Sequence, residues 1–169
     1  TQANSDRVVM LDPKIRASFI QDVPRYRQRL ERMMSLADIV KVSVEDLNWI
    51  RPEPLPLGEK VSSIMNEYEV ILIVTNGSEG ATGYLPNGSH VSIKPEPVAV
   101  IDTVGAGDTF NAGVLAMLHH LDLLTKSRLS RLSLQTLEQA MMFGAKTAAI
   151  SVSRAGANPP WAEELSFKM

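Results

Sequence analysis

An acidic residue follows three small residues where a strand is expected to give way to a helix. The stretch is Gly105-Ala106-Gly107-Asp108, within DTVGAGDTFNAG. Small residues let backbone N–H groups approach a ligand closely, and the free N–H groups at a helix start favour an anion such as phosphate. A carboxylate placed there can accept a proton from an attacking hydroxyl. The spacing therefore favours phosphoryl transfer, which depends on positioning and charge stabilisation.

The same stretch could also be a plain turn before a helix or part of another known motif. Gly105 and Gly107 could form only a tight turn, with Asp108 capping the helix. A dinucleotide-binding fingerprint fails because Phe110 occupies its third glycine position and no acidic residue ends a strand about 20 residues later. Neither a GxxxxGK[ST] phosphate loop nor a GxSxG nucleophile motif occurs in the sequence.

The elements that must position this stretch alternate between strands and helices. This order indicates an α/β fold with a mostly parallel sheet flanked by helices. Apolar runs predict strands at 8–11, 39–42, 70–74 and 98–101, and a β-hairpin at 81–93 around Asn87-Gly88. Helical spacing predicts helices at about 22–37, after 43, at 61–68, at 109–119 and at 134–151.

The composition excludes several classes of function. The chain has 169 residues, 44% hydrophobic and 21% charged, which is typical of a globular domain. Its net charge of −2 gives no basis for binding nucleic acid or a membrane surface, and no apolar run approaches the roughly 20 residues that cross a bilayer. Without cysteine, disulfides and cysteine-ligated metals are excluded. No signal-peptide pattern is visible, so we expect a cytoplasmic protein.

The stretch DTVGAGDTFNAG closely resembles the C-terminal signature of the PfkB, or ribokinase-like, family of carbohydrate kinases. The resemblance implies that Asp108 is the catalytic base and also meets the substrate hydroxyl. It implies that Gly105, Ala106 and Gly107 form an anion hole facing the transferring phosphate. ATP and Mg²⁺ are the implied cofactors, and a K⁺ site is implied with backbone from a loop like 153–158.

Further segments extend the resemblance along the nucleotide. The turn TNGSEG at 75–80 resembles the family's T-x-G-x-x-G turn, although a plain turn uses the same residues. The alanines near 148 and the loop at 154–157 resemble the adenine-side helix and its closing loop. The implied nucleotide-binding residues are Thr75, Gly77, Gly80, Lys41, Ser43, Asp102, Thr103, Ala148 and Gly156.

The stretch KVSVED, from Lys41, stands where relatives carry an N-x-x-E motif that organises Mg²⁺ and phosphates. Ser43 replaces the Asn and Asp46 replaces the Glu. The resemblance then implies Asp46 as a water-mediated magnesium contact, with Glu45 as its substitute. The same residues also suit a capped helix start, with Ser43 as N-cap and Asp46 at the third helical position.

The stretch DPKIR resembles the D-x-N-x-R run of fructokinase-like and keto-deoxy-sugar kinases, with Lys14 where Asn is usual. Arg16 is the implied substrate residue, able to meet a phosphate or an acid as a bidentate donor, although a surface arginine is the alternative. Residues 34–47 are most similar to bacterial fructokinases. Fructose is therefore the first acceptor we expect, with a keto-deoxy sugar acid, ribose or a nucleoside as alternatives.

The resemblance covers essentially the whole chain but only the C-terminal half of the family's fold. We expect residues 1–169 to form the nucleotide-binding half of a ribokinase-like kinase domain, without the sugar-binding half. The lid through which relatives often form homodimers is expected to be absent too. The segment alone should then be inactive, and a non-catalytic nucleotide-binding module remains an alternative.

Overall fold

The computed structural model describes residues 6–95 and 97–165. Its strands are β1 (Met10–Leu11), β2 (Ile39–Ser43), β3 (Ile71–Thr75), β4 (Ala81–Tyr84) and β5 (His90–Ile93). Its helices are α1 (Val23–Met34), α2 (Val44–Ile50), α3 (Leu57–Glu67), α4 (Ala106–His120), α5 (Lys126–Leu129) and α6 (Leu134–Val152). Short 3₁₀ segments are Ala17–Phe19, Gly77–Glu79 and Ala162–Leu165. No helix of the described part is both long and apolar enough to cross a membrane.

The five strands form one sheet in the order β1-β2-β3-β4-β5. The first three pair in parallel and the last two antiparallel, so the expected α/β fold with its hairpin is confirmed as a mixed sheet. Successive side chains of a strand point to opposite faces. Ile71 and Ile73 of β3 therefore pack with the apolar faces of α4 and α6, whereas Leu72 and Val74 pack with those of α1, α2 and α3.

Local sequence signals fix where two of the helices begin. Asp22 precedes α1, and its carboxylate accepts a hydrogen bond of 3.0 Å from the Arg25 amide. Ser43 ends β2 and forms the predicted capping box with Asp46, each side chain accepting from the other residue's backbone N–H. Such caps satisfy amides that the first helical turn leaves without partners. The turn after β2 is therefore rigidly placed at the carboxyl end of the sheet.

Helices α4 and α6 cross at a pair of glycines. A Cβ on Gly113 would lie 2.4 Å from the Thr147 hydroxyl oxygen and 2.8 Å from the Gly144 Cα. A Cβ on Gly144 would lie 2.8 Å from the Phe110 carbonyl oxygen. Only glycine allows backbones to approach this closely. The crossing therefore holds the start of α4 at a fixed distance from the wall formed by α6.

Several details differ from the sequence-based expectation, including the start of α3 at Leu57 rather than 61. Residues 98–101 do not form a strand: Val100 and Ile101 are exposed, and the Ile101 amide donates to the Val152 carbonyl at the end of α6. A strand needs a neighbouring strand for its hydrogen bonds, and this segment lies along a helix end instead. β1 is shorter than predicted, α4 begins at Ala106 rather than 109, and α5 was not predicted.

Candidate active site

The start of α4 presents backbone amides without partners. Gly105 precedes the helix in a left-handed conformation (φ 77°), which glycine adopts without strain. The Ala106 amide donates to the Thr103 carbonyl at 3.2 Å, and the Thr109 amide donates to the Gly105 carbonyl at 2.8 Å. Within the described residues, the Gly107 and Asp108 amides have no acceptor. These two N–H groups of the first helical turn, and that of Gly105 before it, have no recorded acceptor among the described residues and are available to an anion.

The Asp108 carboxylate lies in the same turn and is accessible. Its side chain is 68% exposed, and its Oδ2 accepts a hydrogen bond of 2.7 Å from the Lys14 ammonium group. Lys14 follows β1 and has a positive φ of 41°, a conformation that costs a non-glycine residue roughly 1–2 kcal/mol. Lys14 stands where the family pattern has Asn, and no local pattern in the sequence predicts its contact with Asp108.

A buried polar network lies beneath this turn. Asp12 Oδ2 accepts hydrogen bonds from Lys41 Nζ at 3.1 Å and from Asn111 Nδ2 at 2.8 Å. The Lys41 and Asp12 side chains are only 6% and 12% exposed. A Cβ on Gly107 would lie 3.1 Å from Lys41 Nζ, so a larger residue there would press on the network. Asp12 and Asn111 lie in two different local motifs, so the sequence alone does not predict this contact.

An apolar cleft of about 540 Å³ opens beside this turn, between α6 and the loops that follow the strands. Its α6 wall consists of small side chains, including Ala145, Ala148 and Ala149. The extended segment around Val98 and Val100 closes another side. The sequence-predicted residues that line the cleft are Lys41, Thr75, Gly77, Gly80, Thr103, Ala106, Gly107 and Ala148.

Asp102 and Gly156 do not line the cleft, but they contact each other. Asp102 Oδ1 accepts from the Val104 amide at 3.0 Å, and its Oδ2 accepts from the Gly156 amide at 2.9 Å. These backbone donors, Val104 first, hold the pKa of Asp102 below its ordinary value of 3.8 because they stabilise the ionised form. The carboxylate thereby ties the loop before α4 to the loop after α6.

The predicted magnesium contacts differ in how free they are. Asp46 is buried, and its two carboxylate oxygens accept from the Ile15 amide at 2.9 Å and from the Ser43 hydroxyl at 2.7 Å. Glu45 is exposed and makes no ion pair within 6–95 or 97–165. In those ranges no cluster of three or more histidine or acidic side chains could hold a metal alone. The donor set suits Mg²⁺ carried mainly by nucleotide phosphates and water, its usual mode of binding.

Arg16 does not line the cleft. It lines a second cavity of about 420 Å³, which we call the basic pocket; its cationic lining residues are Lys14, Arg16, Arg25 and Arg29. Ser43 lies beside neither cavity and instead caps α2. The turn with Asp108 therefore stands between an apolar cleft and a basic pocket.

Comparison with protein families shows which family has this sequence. Residues 1–164 match the model of the pfkB family carbohydrate kinases. The chain belongs to this family. Its pfkB membership confirms the resemblance seen in the start of α4 and the ribokinase-like fold expected from it.

Individual relatives agree with the family match. The chain is 42% identical over 136 residues to a fructokinase of Rhizobium leguminosarum bv. trifolii, covering 79% of this chain and 40% of that protein. A fructokinase double mutant of Vibrio cholerae, with fructose, ADP and potassium bound, superposes with a TM-score of 0.75 at 26% identity. That match covers 89% of this chain and 46% of the other. A putative ribokinase II of Escherichia coli, with ATP and Mg²⁺, gives a TM-score of 0.75 at 25% identity over 94% of this chain and 47% of that one.

The pfkB chain described here therefore spans less than half the length of these relatives. It contains the family signature at the start of α4, the apolar cleft and the basic pocket.

Proposed function

We propose that the chain forms the nucleotide-binding and proton-accepting part of an ATP-dependent sugar kinase. The observation that supports this most directly is the exposed Asp108 carboxylate in the first turn of α4, beside two amides without acceptors. A hydroxyl that reaches this carboxylate can lose its proton to it. The amides of Gly107 and Asp108 would meanwhile stabilise negative charge on the phosphoryl group.

In this proposal the apolar cleft takes the adenine nucleotide. The alanine wall of α6 leaves room for a flat base, and cavities of about 300–1,000 Å³ with apolar walls are typical of small-molecule sites. Thr75, Gly77 and Gly80 line the cleft after β3, where backbone can approach the nucleotide closely. Lys41 also lines the cleft, and its ammonium group, which now donates to Asp12, would meet a phosphate only by sharing or exchanging that partner.

Metal ions complete the proposal. When bound, Mg²⁺ would neutralise charge on the nucleotide phosphates. Glu45 would contact its water shell directly, and Asp46 would do so only by exchanging one of its present hydrogen bonds. A K⁺ ion near the loop at 153–158 is proposed by analogy with the potassium-bound Vibrio fructokinase.

Fructose is the acceptor we propose, because the Rhizobium relative that shares 42% identity is a fructokinase. Since the chain spans 40% of that relative, we further propose that the sugar side of the site is supplied by the remainder of a full-length kinase. The 169-residue chain alone is then expected to bind ATP without turning it over. Substantial fructose phosphorylation by the purified chain would contradict this division.

The role of Asp108 is tested by Asp108→Asn in the full-length gene product, assayed with ATP and a panel of sugars. We expect turnover to fall by about 10²–10⁴-fold, the usual contribution of a general base, while ATP affinity changes little. Asp122→Asn is the matched control, since Asp122 is an exposed aspartate paired with Arg128 at the opposite end of α4. Near-normal turnover by Asp108→Asn would exclude the proposed base.

A further inference from the structure

Lys14 brings an exposed positive charge to the start of α4. Its ammonium group donates to Asp108 Oδ2 at 2.7 Å, and its side chain is 43% exposed. A Cβ on Gly107 would lie 3.7 Å from Lys14 Cε. One side chain therefore contacts the carboxylate of this turn and passes beside the backbone that carries its free amides.

The other lysine beside Gly107 is less available to a ligand. Lys41 Nζ lies 3.1 Å from the same Cβ position, but it donates to Asp12 and its side chain is 6% exposed. Asp12 Oδ1 has no hydrogen-bond partner, so Lys41 could not leave Asp12 without stranding a buried charge. The Lys14 pair is exposed, and exposed pairs separate at little cost. Of the two lysines, Lys14 is therefore the one that can turn toward a ligand.

The ion pair of Lys14 with Asp108 leaves both groups with unused capacity. An ammonium group has three donors, and Lys14 uses one of them within the described ranges. Asp108 Oδ2 accepts from Lys14, whereas Oδ1 accepts from no residue in 6–95 or 97–165. A hydroxyl proton can therefore pass to Oδ1 while Lys14 remains on Oδ2. The other N–H groups of the ammonium can meanwhile donate to phosphoryl oxygens.

The backbone holds Lys14 in an uncommon conformation. Its φ of 41° lies in the left-handed region, which asparagine adopts more readily than lysine. The next amide, of Ile15, donates to the buried Asp46 carboxylate at 2.9 Å and so ties this conformation to the capped start of α2. Strained residues that their surroundings hold in place cluster at functional sites. Because the family pattern has Asn at this position, the ammonium group is a feature of this chain and not of the pattern.

We propose that Lys14 is a further catalytic residue, which bridges Asp108 and the transferring phosphoryl group. This role rests on the kinase function proposed above. In the transfer, the sugar oxygen bonds to the γ-phosphorus, the bond from that phosphorus to ADP breaks with its electron pair leaving on ADP, and the hydroxyl proton passes to Asp108 Oδ1. Lys14 keeps its protons throughout. Its charge offsets the repulsion between the carboxylate and the phosphoryl oxygens, which must come close together.

Steady-state kinetics of the full-length gene product, with ATP and the sugar that it phosphorylates best, test this role. In Lys14→Met we expect kcat to fall by about 10²–10³-fold, the usual cost of removing one charge-stabilising donor, with little change in either KM. Lys14→Arg keeps a cation and should recover at least about tenfold of that loss. Arg128→Met is the matched control, since Arg128 is also an exposed cation paired with an aspartate, at the opposite end of α4.

A binding measurement on the same full-length protein separates catalysis from structural support. ADP with aluminium fluoride mimics the transferring phosphoryl group, and calorimetry with the sugar present compares it with ADP alone. We expect Lys14→Met to weaken the binding of ADP with aluminium fluoride and to leave the binding of ADP unchanged, because only the mimic presents phosphoryl oxygens to the lysine. Equal weakening of both ligands would mean that Lys14 supports the structure, and it would overturn the proposal.

The kinetic outcomes also decide between alternatives. Turnover of Lys14→Met that equals that of Arg128→Met overturns the role of Lys14. A rise in turnover does so too, because it would show that the lysine blocks the base. Either result leaves the kinase function standing if the wild-type protein phosphorylates a sugar and Asp108→Asn does not. A wild-type protein that phosphorylates no sugar overturns both proposals.

Discussion

Lys41 and Lys14 both lie next to Gly107, yet their environments are opposite. The Lys41 side chain is 6% exposed and pairs with Asp12 in a buried network, whereas the Lys14 side chain is 43% exposed and pairs with Asp108 in the open. A buried pair is costly to break because one charge is left unpaired away from water. An exposed pair contributes little to stability. The first pair therefore holds the site together, and the second is free to exchange its partner for a ligand.

The largest expected effect comes from removing the charge of Lys41. Lys41→Met leaves the buried Asp12 carboxylate without its cation, so we expect a loss of about 3–5 kcal/mol in the free energy of unfolding, measured with urea. Lys60→Met is the matched control. Lys60 is also buried, but its ammonium group donates at 2.8 Å to the neutral amide oxygen of Asn48, so its loss strands no charge. Equal losses in the two variants would contradict the distinction.

The second prediction concerns the partner of Lys41. Adding Asp12→Asn to Lys41→Met removes the stranded charge and keeps an acceptor for the Asn111 side-chain amide. We expect the double variant to recover stability, with a coupling energy of about 1–3 kcal/mol between the two positions. Measurement of all three variants by urea unfolding gives this coupling directly. Additive losses would mean that Asp12 and Lys41 do not act as a pair.

Lys14→Asn is expected to change stability by less than about 1 kcal/mol in either direction. The ion pair with Asp108 is lost, but asparagine adopts positive φ more readily than lysine. The same urea titration measures this change. A loss comparable to that of Lys41→Met would show that the exposed pair also supports the fold, and the contrast between the two lysines would disappear.

The smallest expected effect is a local, pH-dependent loss of the hydrogen bond between Asp102 and Gly156. The Asp102 carboxylate is held by backbone donors and not by a cation. Its pKa is lowered, so its tie to Gly156 is fully present above its ordinary pKa of 3.8 and is lost as pH falls through the lower value of the folded state. We expect the Gly156 amide resonance to move over that acidic range in an NMR titration. In Asp102→Asn this movement should be absent. Persistence of the titration in the variant would assign it to another group.

The parts of the fold that were predictable are those fixed by neighbours in sequence. The apolar run of β3, the capping box of Ser43 and Asp46, and the Asn87-Gly88 turn each depend on a few adjacent residues. The segment at 98–101 has the β-branched residues of a strand but no adjacent strand to pair with, and only the three-dimensional arrangement reveals this.

The candidate site likewise has features that local sequence predicts and contacts that it does not. The signature around Gly107 and Asp108 indicated that a helix begins nearby with free amides, because these follow from local backbone geometry, but it placed the start three residues too late. The network partners could not be inferred, since Asp12 and Asn111 are 99 positions apart and Lys14 and Asp108 are 94 apart. Such contacts depend on strand order and helix crossing, which a local pattern does not encode.

The glycine crossing of α4 and α6 has a consequence for how this protein can change during evolution. One extra methyl group at Gly113 or Gly144 would push α4 and α6 apart. The alanines of α6 that line the cleft would then move away from Asp108 at the start of α4. Bulk gained at one of these positions must therefore be offset by bulk lost opposite it. We expect Gly113, Gly144 and Thr147 to vary together, if at all, among descendants that keep this helix crossing.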